Sequence, residues 1–360
     1  MIHITGRANI SRGKVTLIKA ISILLSLIVC ALIIMSTTGE NPISVFDTMF
    51  KGSFGSTRKM WNFLQSTAIL LIISLAVTPA FRMRCWNLGA EGQVLAGSLA
   101  SAACMICLAD KLAPSLLLVL MIVFSLLAGA LWAVIPAFFK SKWNTNETLF
   151  TLMMNYVAIQ LVAYFVKIWE NPKGSNNIGV INQKSQLGWL PQVGNKYLLI
   201  ILVAIVLTIF VYIYQNYSKH GYEIAVVGES ERTARYIGIH VGRVIVRTML
   251  LSGAICGICG FLLVSGINHT LSTTLAGGQG FTAVMVSWMS KFNPIVMIFS
   301  SALLEFMEAG AGDIATNFGL NQSFGDIMTG IIIFFIIGSE FFINYKINFS
   351  HKVKEDKENV

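Results

Sequence analysis

Two long apolar runs flank one short polar segment in the second half of the chain. Residues 197–217 read YLLIILVAIVLTIFVYIYQNY and residues 244–266 read VIVRTMLLSGAICGICGFLLVSG, whereas residues 221–239 between them read GYEIAVVGESERTARYIGI. A run of about 20 mostly apolar residues is long enough to cross a bilayer as a helix. The two runs therefore predict membrane-spanning helices, and the polar segment predicts a connection outside the lipid.

The same apolar pattern extends over most of the 360 residues. Further apolar segments occupy residues 15–35, 61–81, 88–108, 114–139, 148–168, 280–290, 294–309 and 325–342. Only 12% of the residues are charged and the mean hydropathy is +0.70, whereas a soluble domain carries about 25% charged residues. We expect an all-α, polytopic membrane helical bundle with about ten transmembrane or re-entrant segments.

The basic residues predict the orientation of this bundle. If the N-terminus is cytoplasmic, the alternating inner segments contain 18 of the 26 Lys and Arg residues. Inner loops of membrane proteins carry an excess of Lys and Arg, so the pattern favours cytoplasmic N- and C-termini. It also accounts for the net charge of +9 without nucleic-acid binding. We expect one membrane domain over residues 1–345 and a charged cytoplasmic tail over residues 346–360.

The polar segment at 221–239 predicts a short helix on the cytoplasmic side. Ser230 is of the residue type that caps helix N-termini, and Gly238 is of the type that follows a helix end. The helix between them carries two arginines and small residues that allow close approach of a partner backbone. Two interpretations stay open from the residues alone: docking of a soluble partner, or an interfacial helix bound to anionic lipid.

Polar residues near residue 90 interrupt an otherwise apolar span. Asn87, Glu91 and Gln93 lie among several glycines, and a carboxylate at the bilayer centre costs roughly 3 kcal/mol. A second glycine-interrupted segment contains Gln279, and paired broken segments often flank a transport site. These residues either line a path or cross-link helices. In the second case, we expect Gln to replace Glu91 with little loss.

Other polar residues leave similar alternatives open. Asn155 either bonds between helices or lines a pore. Glu305, Glu308 and Asp313 lie near the outer end of a span, where a gate or simple solvation competes with a proton relay. The polar loop at residues 169–196 is either a solvated connection or a docking surface for an external partner.

Sequence motifs for catalysis and nucleotide hydrolysis are absent. The chain has no G-x-x-x-x-G-K-[ST] phosphate loop and no H-E-x-x-H or G-x-S-x-G motif. Its histidines fit no metal-ligand spacing. Two C-x-x-C pairs lie in apolar stretches with no histidine nearby, which favours small buried residues at helix contacts over metal or redox chemistry. We expect neither an enzyme nor a metal site.

Several stretches together resemble the permeases of nucleoside and simple-sugar ABC importers, the group paired with basic-membrane-protein lipoproteins. The similar stretches are NLGAEGQ at 87–93, NETLFTLMMNY at 146–156, the region 221–260, GGQGF at 277–281 and KFNP at 291–294. They are in the order and spacing of that family. Where the family has Asn-Pro and Ala-Ala, this chain has Ser230-Glu231 and Thr233-Ala234.

The resemblance implies a permease subunit in the bacterial plasma membrane that forms a translocation path for nucleosides or simple sugars. Its partners would be a cytoplasmic ABC ATPase that holds ATP-Mg, a second homologous permease and an extracytoplasmic substrate-binding lipoprotein. The chain itself would bind no cofactor. An ion-coupled secondary transporter of a small polar solute is the alternative, with Glu91 as its coupling carboxylate.

The resemblance also assigns residues. Within a cytoplasmic coupling loop at 218–245, the ATPase-coupling residues would be Gly228, Glu229, Ser230, Arg232, Thr233, Ala234, Arg235, Tyr236 and Gly238. The residues expected to line the translocation path are Asn87, Glu91, Gln93, Asn155 and Gln279.

Overall fold

The computed structural model describes residues 2–6, 11–39, 41–192, 194–319 and 322–349. Its helices are α1 Arg12–Thr38, α2 Pro42–Phe54, α3 Thr57–Arg82, α4 Ala90–Cys107, α5 Pro114–Trp143, α6 Glu147–Trp169, α7 Leu198–Tyr217, α8 Lys219–Glu229, α9 Glu231–Tyr236, α10 Val241–Phe261, α11 Gln279–Met289, α12 Pro294–Asn317 and α13 Gln322–Asn344. A π-helix, Leu262–Asn268, continues α10.

The all-α fold class predicted from the sequence is confirmed. Each of the ten predicted apolar segments coincides with a helix, and eight helices in the described ranges are long and apolar enough to cross a membrane. The helix α11 has only 11 residues, about 16 Å at 1.5 Å per residue, which is half the thickness of a hydrocarbon core. The orientation of the bundle stays a prediction.

One helix and two strands near the chain ends are among the elements that were not predicted, as are α8 and the π-helix. The helix α2 begins after Asn41, whose side chain accepts a hydrogen bond from the Ile43 amide at 3.0 Å. Strands β1 (Ile2–Gly6) and β2 (Tyr345–Phe349) form one antiparallel pair. The strand β2 occupies the start of the region expected to be a charged tail. Residues 350–360 of that tail lie outside the described residues.

The chain divides into two compact units. One comprises Met1–Met60 with Phe306–Val360, and the other comprises Trp61–Glu305. In the first unit Lys59 forms an ion pair with Asp313, so this carboxylate, which was expected near the outer end of a span, is paired with a cation. The expectation of a single domain over residues 1–345 stays a prediction.

Glycines allow the central helices of the second unit to approach closely. The helices α3, α4 and α10 are largely buried, whereas α5, α6 and α7 expose most of their apolar surface. A Cβ atom on Gly97 of α4 would lie 2.6 Å from the Cα of Gly257 in α10. A Cβ atom on Gly129 of α5 would lie 2.2 Å from the carbonyl oxygen of Gly253. Small residues thus bring three backbones together, as in other membrane helix pairs.

Five of the six cysteines are buried. Cys256 and Cys259 are fully buried in α10, and Cys104 is buried in α4, whereas Cys107 is exposed. In the part of the chain that the structure describes, no three His, Cys, Asp or Glu side chains form a group that could hold a metal ion.

Candidate coupling segment and buried polar junction

The polar segment between α7 and α10 folds as two helices, α8 and α9. The side chain of Ser218 caps α8 by accepting a hydrogen bond from the Gly221 amide at 3.0 Å. Ser230 then ends α8, because its amide donates to the Val226 carbonyl at 3.0 Å. Its hydroxyl also accepts from the Thr233 amide at 3.2 Å and caps α9. The predicted capping role of Ser230 is confirmed.

The helix α9 ends in a Schellman motif built on Gly238. This glycine has a φ of +86°, in the left-handed region that favours glycine. Its amide donates to the Arg235 carbonyl at 3.1 Å, and the Ile239 amide donates to the Ala234 carbonyl at 2.9 Å. These are the two bonds that define the motif, so both ends of this six-residue helix are closed by local hydrogen bonds.

One side chain fastens α9 to the rest of the second unit. Ala234 is fully buried in an apolar cluster that includes Met83, Ile224, Val241 and Ile245. The small size of Ala234, which suggested close approach of a partner, is therefore used inside this chain. It fixes which face of α9 points away from the bundle.

The outward face of α9 is polar and exposed. Glu231, Arg232, Thr233, Arg235 and Tyr236 are all exposed, and Tyr236 is 92% exposed. Arg235 forms an i,i+4 ion pair with Glu231 at 3.5 Å. Exposed ion pairs of this kind contribute only about 0.3–0.5 kcal/mol. The face is thus available to a partner without breaking a strong internal contact.

The helix α8 rests against the end of α3. A Cβ atom on Gly228 would lie 2.2 Å from the Arg82 carbonyl oxygen, so only glycine fits there, whereas the neighbouring Glu229 is exposed. The predicted coupling residues therefore form one continuous segment with Gly228 and Ala234 buried at its base. The segment connects the outward face of α9 with the membrane helices α3 and α10.

A charged contact fixes α8 to α10. Arg247 donates to the carboxylate of Glu223 at 2.8 Å, and His220 lies 3.7 Å from the same oxygen. Burial raises the pKa of Glu223, but the hydrogen bond and charge of Arg247 together with His220 outweigh burial and hold this pKa below its usual value. The sequence analysis missed this contact, because 24 residues separate its two partners.

The predicted path residues near residue 90 lie in a buried polar junction, defined here as Asn87, Glu91, Gln93, Asn155 and Ser252. All five are buried. Ser252 lies 11 residues, about 16 Å, along α10 from Val241. Because α10 is a membrane-spanning helix, the junction lies inside the apolar part of the bundle.

Glu91 joins the beginnings of two helices. It lies in the first turn of α4, and its two carboxylate oxygens accept hydrogen bonds from the Gly278 and Gly280 amides, both at 2.9 Å. These amides open α11, where unpaired N–H groups favour an anion. A Cβ atom on Gly280 would lie 2.6 Å from the Glu91 amide nitrogen. The two broken segments suggested by the sequence therefore meet at Glu91.

The side chain of Asn87 links α10 to the beginning of α4. Its Nδ2 donates to the Ser252 hydroxyl at 2.9 Å. Its Oδ1 accepts from the Gly89 amide at 3.0 Å and from Gln93 Nε2 at 3.1 Å. Sequence reasoning did not include Ser252, because a lone serine in an apolar helix gives no distinctive signal.

Asn155 attaches α6 to the same place. Its Oδ1 accepts from the Gly92 amide at 2.9 Å and its Nδ2 donates to the Leu88 carbonyl at 2.8 Å. Gln279 is different: it is the first residue of α11 and half-buried, and its side chain makes no hydrogen bond with the residues that the structure describes. The structure thus buries four of the five predicted path residues in the polar junction and leaves Gln279 beside it.

The loop at residues 169–196 is bonded to the bundle rather than merely solvated. The Leu190 amide donates to the Ser265 carbonyl at 2.9 Å. The Trp189 ring stacks on His269 with 3.8 Å between centroids. Both Ser265 and His269 lie in or next to the π-helix, so the loop is anchored where α10 changes its hydrogen-bond pattern.

Comparison with known proteins identifies the family. A family model described as the permease component of a branched-chain amino acid transport system matches residues 59–337. The chain belongs to this permease family. The match includes the coupling segment, the polar junction and most of the predicted spans.

Three relatives cover most of this permease. A glucose ABC transporter permease of Haloferax volcanii is 26% identical over 85% of this chain and 83% of the relative. A guanosine ABC transporter permease of Bacillus subtilis is 28% identical over 90% of this chain and 93% of the relative. A nucleoside ABC transporter permease of Lactococcus lactis is 25% identical over 91% and 92% of the two chains.

The resemblance to nucleoside and simple-sugar ABC permeases is therefore confirmed. The chain is a multi-pass membrane subunit of an ABC transporter, and its family consists of transport components rather than enzymes. Permeases of this family work with an ATPase and a substrate-binding partner. Between the two transporter classes considered above, family membership favours the ABC permease over the ion-coupled carrier.

Proposed function

We propose that this permease imports nucleosides and that the exposed face of α9 docks a cytoplasmic ATPase that holds ATP-Mg. The observation that supports the docking role is the way in which α9 is held against the bundle. Its two ends are capped and Ala234 is buried. Within the described residues, the charged face that includes Arg232 and Arg235 makes one exposed ion pair and no stronger contact. Such a helix moves with the bundle and offers a polar surface to a soluble partner.

Nucleosides are preferred over sugars because two of the three relatives above carry guanosine or nucleosides in their names, whereas the third names glucose. We assign the ATPase to the cytoplasmic side because the basic residues favour that orientation. The anchored loop at residues 169–196 then faces the opposite side, where a substrate-binding lipoprotein would dock. Nucleosides would be selected first by that lipoprotein.

The translocation path lies between this chain and a second homologous permease in this proposal. The side chains of Asn87, Glu91 and Asn155 are occupied in the polar junction, and Gln93 donates there through Nε2, while its buried Oε1 has no partner among the described residues. In this proposal these residues border the path by fixing the beginnings of α4 and α11. Of the five predicted path residues, Gln279 is the one whose half-buried side chain is available to a solute. The broadly exposed apolar faces of α5, α6 and α7 fit contact with lipid and with a second permease.

The docking role is tested by Arg232→Glu in cells that express the complete transporter. We expect loss of ATPase co-purification and at least a tenfold loss of radiolabelled guanosine uptake, because the charge of an exposed docking residue is reversed. The matched control is Arg58→Glu, which changes an exposed arginine at the opposite end of α3. Normal ATPase association and uptake in Arg232→Glu would refute the docking role.

The substrate class is tested by competition in the same cells. We expect unlabelled nucleosides to reduce guanosine uptake, and glucose in large excess to leave it unchanged. Uptake of labelled glucose that nucleosides do not inhibit would instead show that the permease serves a sugar.

A further inference from the structure

A cleft of about 560 Å³ opens beside the segment that joins α8 to α9. Its walls come from the end of α3 and the loop after it, from the end of α8, and from the end of α11 with the turn that follows. Pockets for small molecules typically have volumes of about 300–1,000 Å³. The cleft is distinct from the polar junction, because none of the junction residues lines it.

Aromatic rings form one wall of the cleft. Trp86 and Trp288 stack with 5.2 Å between ring centroids and an interplanar angle of 25°. The edges of Phe81 and Phe292 pack against this pair. Both tryptophans are nearly half exposed, at 43% and 47%. An exposed, fixed aromatic face is a platform on which a nucleobase stacks.

Two arginines lie at the same cleft. The Nη1 atom of Arg82 is oriented by bonds to the backbone carbonyl and the side-chain oxygen of Gln215, at 3.3 and 3.4 Å. Arg84 is exposed and has a φ of +59°, an uncommon conformation for a residue with a Cβ atom. Its guanidinium forms no hydrogen bond or ion pair with any described residue. A guanidinium with free donors binds phosphate in a bidentate manner.

We propose that this cleft binds a nucleotide, with the base on the Trp86–Trp288 pair and the phosphate at Arg84 and Arg82. The combination distinguishes the occupant: a nucleoside lacks the phosphate, and inorganic phosphate lacks the aromatic ring. Among the described residues that line the cleft, one is acidic, Glu229, and two are arginines, so this lining is net positive.

The position of the cleft gives its occupant a regulatory role. Gly228 and Glu229 line it and lead directly into Ser230 and α9. A bound nucleotide therefore contacts the segment that carries the docking face. This regulatory role rests on the proposed function: a nucleotide is the phosphorylated form of the imported nucleoside, and its binding would weaken ATPase docking when the cell is already supplied.

The binding itself is tested on the full chain without ATPase, reconstituted in nanodiscs of neutral phosphatidylcholine. Equilibrium binding of radiolabelled guanosine monophosphate is measured, with guanosine and inorganic phosphate as competitors. We expect each competitor to bind at least tenfold more weakly than the nucleotide. Arg84→Ala should weaken nucleotide binding at least tenfold, which is about 1.4 kcal/mol, because it removes the charge-assisted hydrogen bonds to the phosphate. Trp288→Leu should weaken it to a similar degree.

Two controls make the outcome decisive. The first is Arg58→Ala, at the other end of α3, which should leave nucleotide binding unchanged. The second is Arg84→Ala itself: because Arg84 is exposed, this variant tests the cleft even if Trp288→Leu fails to fold. Nucleotide binding that persists in Arg84→Ala, or guanosine binding as tight as the nucleotide, would overturn the proposal. Displacement of the nucleotide by anionic phosphatidylglycerol in the nanodisc would also overturn it, by identifying a lipid headgroup as the occupant. The binding measurements depend neither on ATPase docking nor on uptake. They therefore test the cleft independently of the proposed function.

Discussion

The coupling segment and the polar junction are both polar interruptions of an apolar chain, yet they are built in opposite ways. The outward face of α9 consists of exposed charged residues with one weak ion pair, and the helix is fastened by the single buried Ala234. In the junction, Asn87, Glu91 and Asn155 are buried, and their side chains bond to backbone or to other side chains. Charge reversal on α9 should therefore change partner binding, whereas loss of a junction side chain should change stability.

Glu91→Ala should have the largest effect on stability. It removes both hydrogen bonds that the carboxylate accepts at the beginning of α11. The buried Gly280 amide is left without an acceptor, which costs about 1–3 kcal/mol, whereas the exposed Gly278 amide can bond to water and loses only the net ~1 kcal/mol of its bond. We therefore expect a loss of roughly 2–4 kcal/mol in the free energy of unfolding in detergent. Glu229→Ala, at an exposed carboxylate, serves as the control and should stay within about 0.5 kcal/mol of the wild type. Equal stability of both variants would contradict a bracing role for Glu91.

Glu91→Gln should have a smaller but measurable effect. A glutamine retains one acceptor oxygen and places its NH₂ group against the other backbone N–H, so one of the two bonds is lost. We expect a loss of about 1–3 kcal/mol in unfolding free energy, measured by the same unfolding experiment. From the sequence we expected that glutamine would replace a bracing Glu91 with little loss. The two backbone N–H groups that Glu91 accepts from predict instead a measurable loss of stability. A wild-type unfolding curve would show that one acceptor suffices.

Gly238→Ala should destabilise the coupling segment by a smaller amount than the Glu91 variants destabilise the bundle. The left-handed φ of +86° costs a residue with a Cβ atom about 1–2 kcal/mol. Hydrogen exchange of the α9 amides should increase, while exchange in α4 and α10 should stay unchanged, because the strain is local. Gly312→Ala is a suitable reference, since that helical glycine has open space at its Cβ position. Protection of α9 equal to the wild type would show that the motif tolerates a Cβ atom.

The contact between Glu223 and Arg247 should give the smallest effect, visible as acid sensitivity. The folded-state pKa of Glu223 lies below its ordinary value of 4.5. Its contribution to stability is therefore fully present above about pH 4.5 and is lost as the pH falls from there through the folded-state pKa. We expect Glu223→Gln to remove this part of the pH dependence while leaving the remainder. Identical acid unfolding profiles for the two proteins would exclude a stabilising contact.

Local signals carried most of what the sequence could predict. Spans such as 197–217 follow from composition alone, and the capping of α9 follows from Ser230 and Gly238, whose effects extend over a few residues. The partners of Glu91 could not be predicted, because Gly278 and Gly280 lie 187 and 189 residues away along the chain. The inward direction of Ala234 depends on packing against α3, α8 and α10. The helix α2 was missed because its 13 residues are too few to form a spanning run.

Ser230 has a mechanical consequence. This one residue, in extended conformation, terminates α8 through its amide and starts α9 through its hydroxyl. The two helices therefore form an elbow whose joint is a single residue and whose arms are each stiffened by hydrogen bonds. Gly228 of α8 lies against the α3 backbone, and Ala234 fixes α9 in the apolar cluster. Little flexible backbone therefore separates the outward face of α9 from α3 and α10. A displacement of that face would be transmitted directly to these two helices.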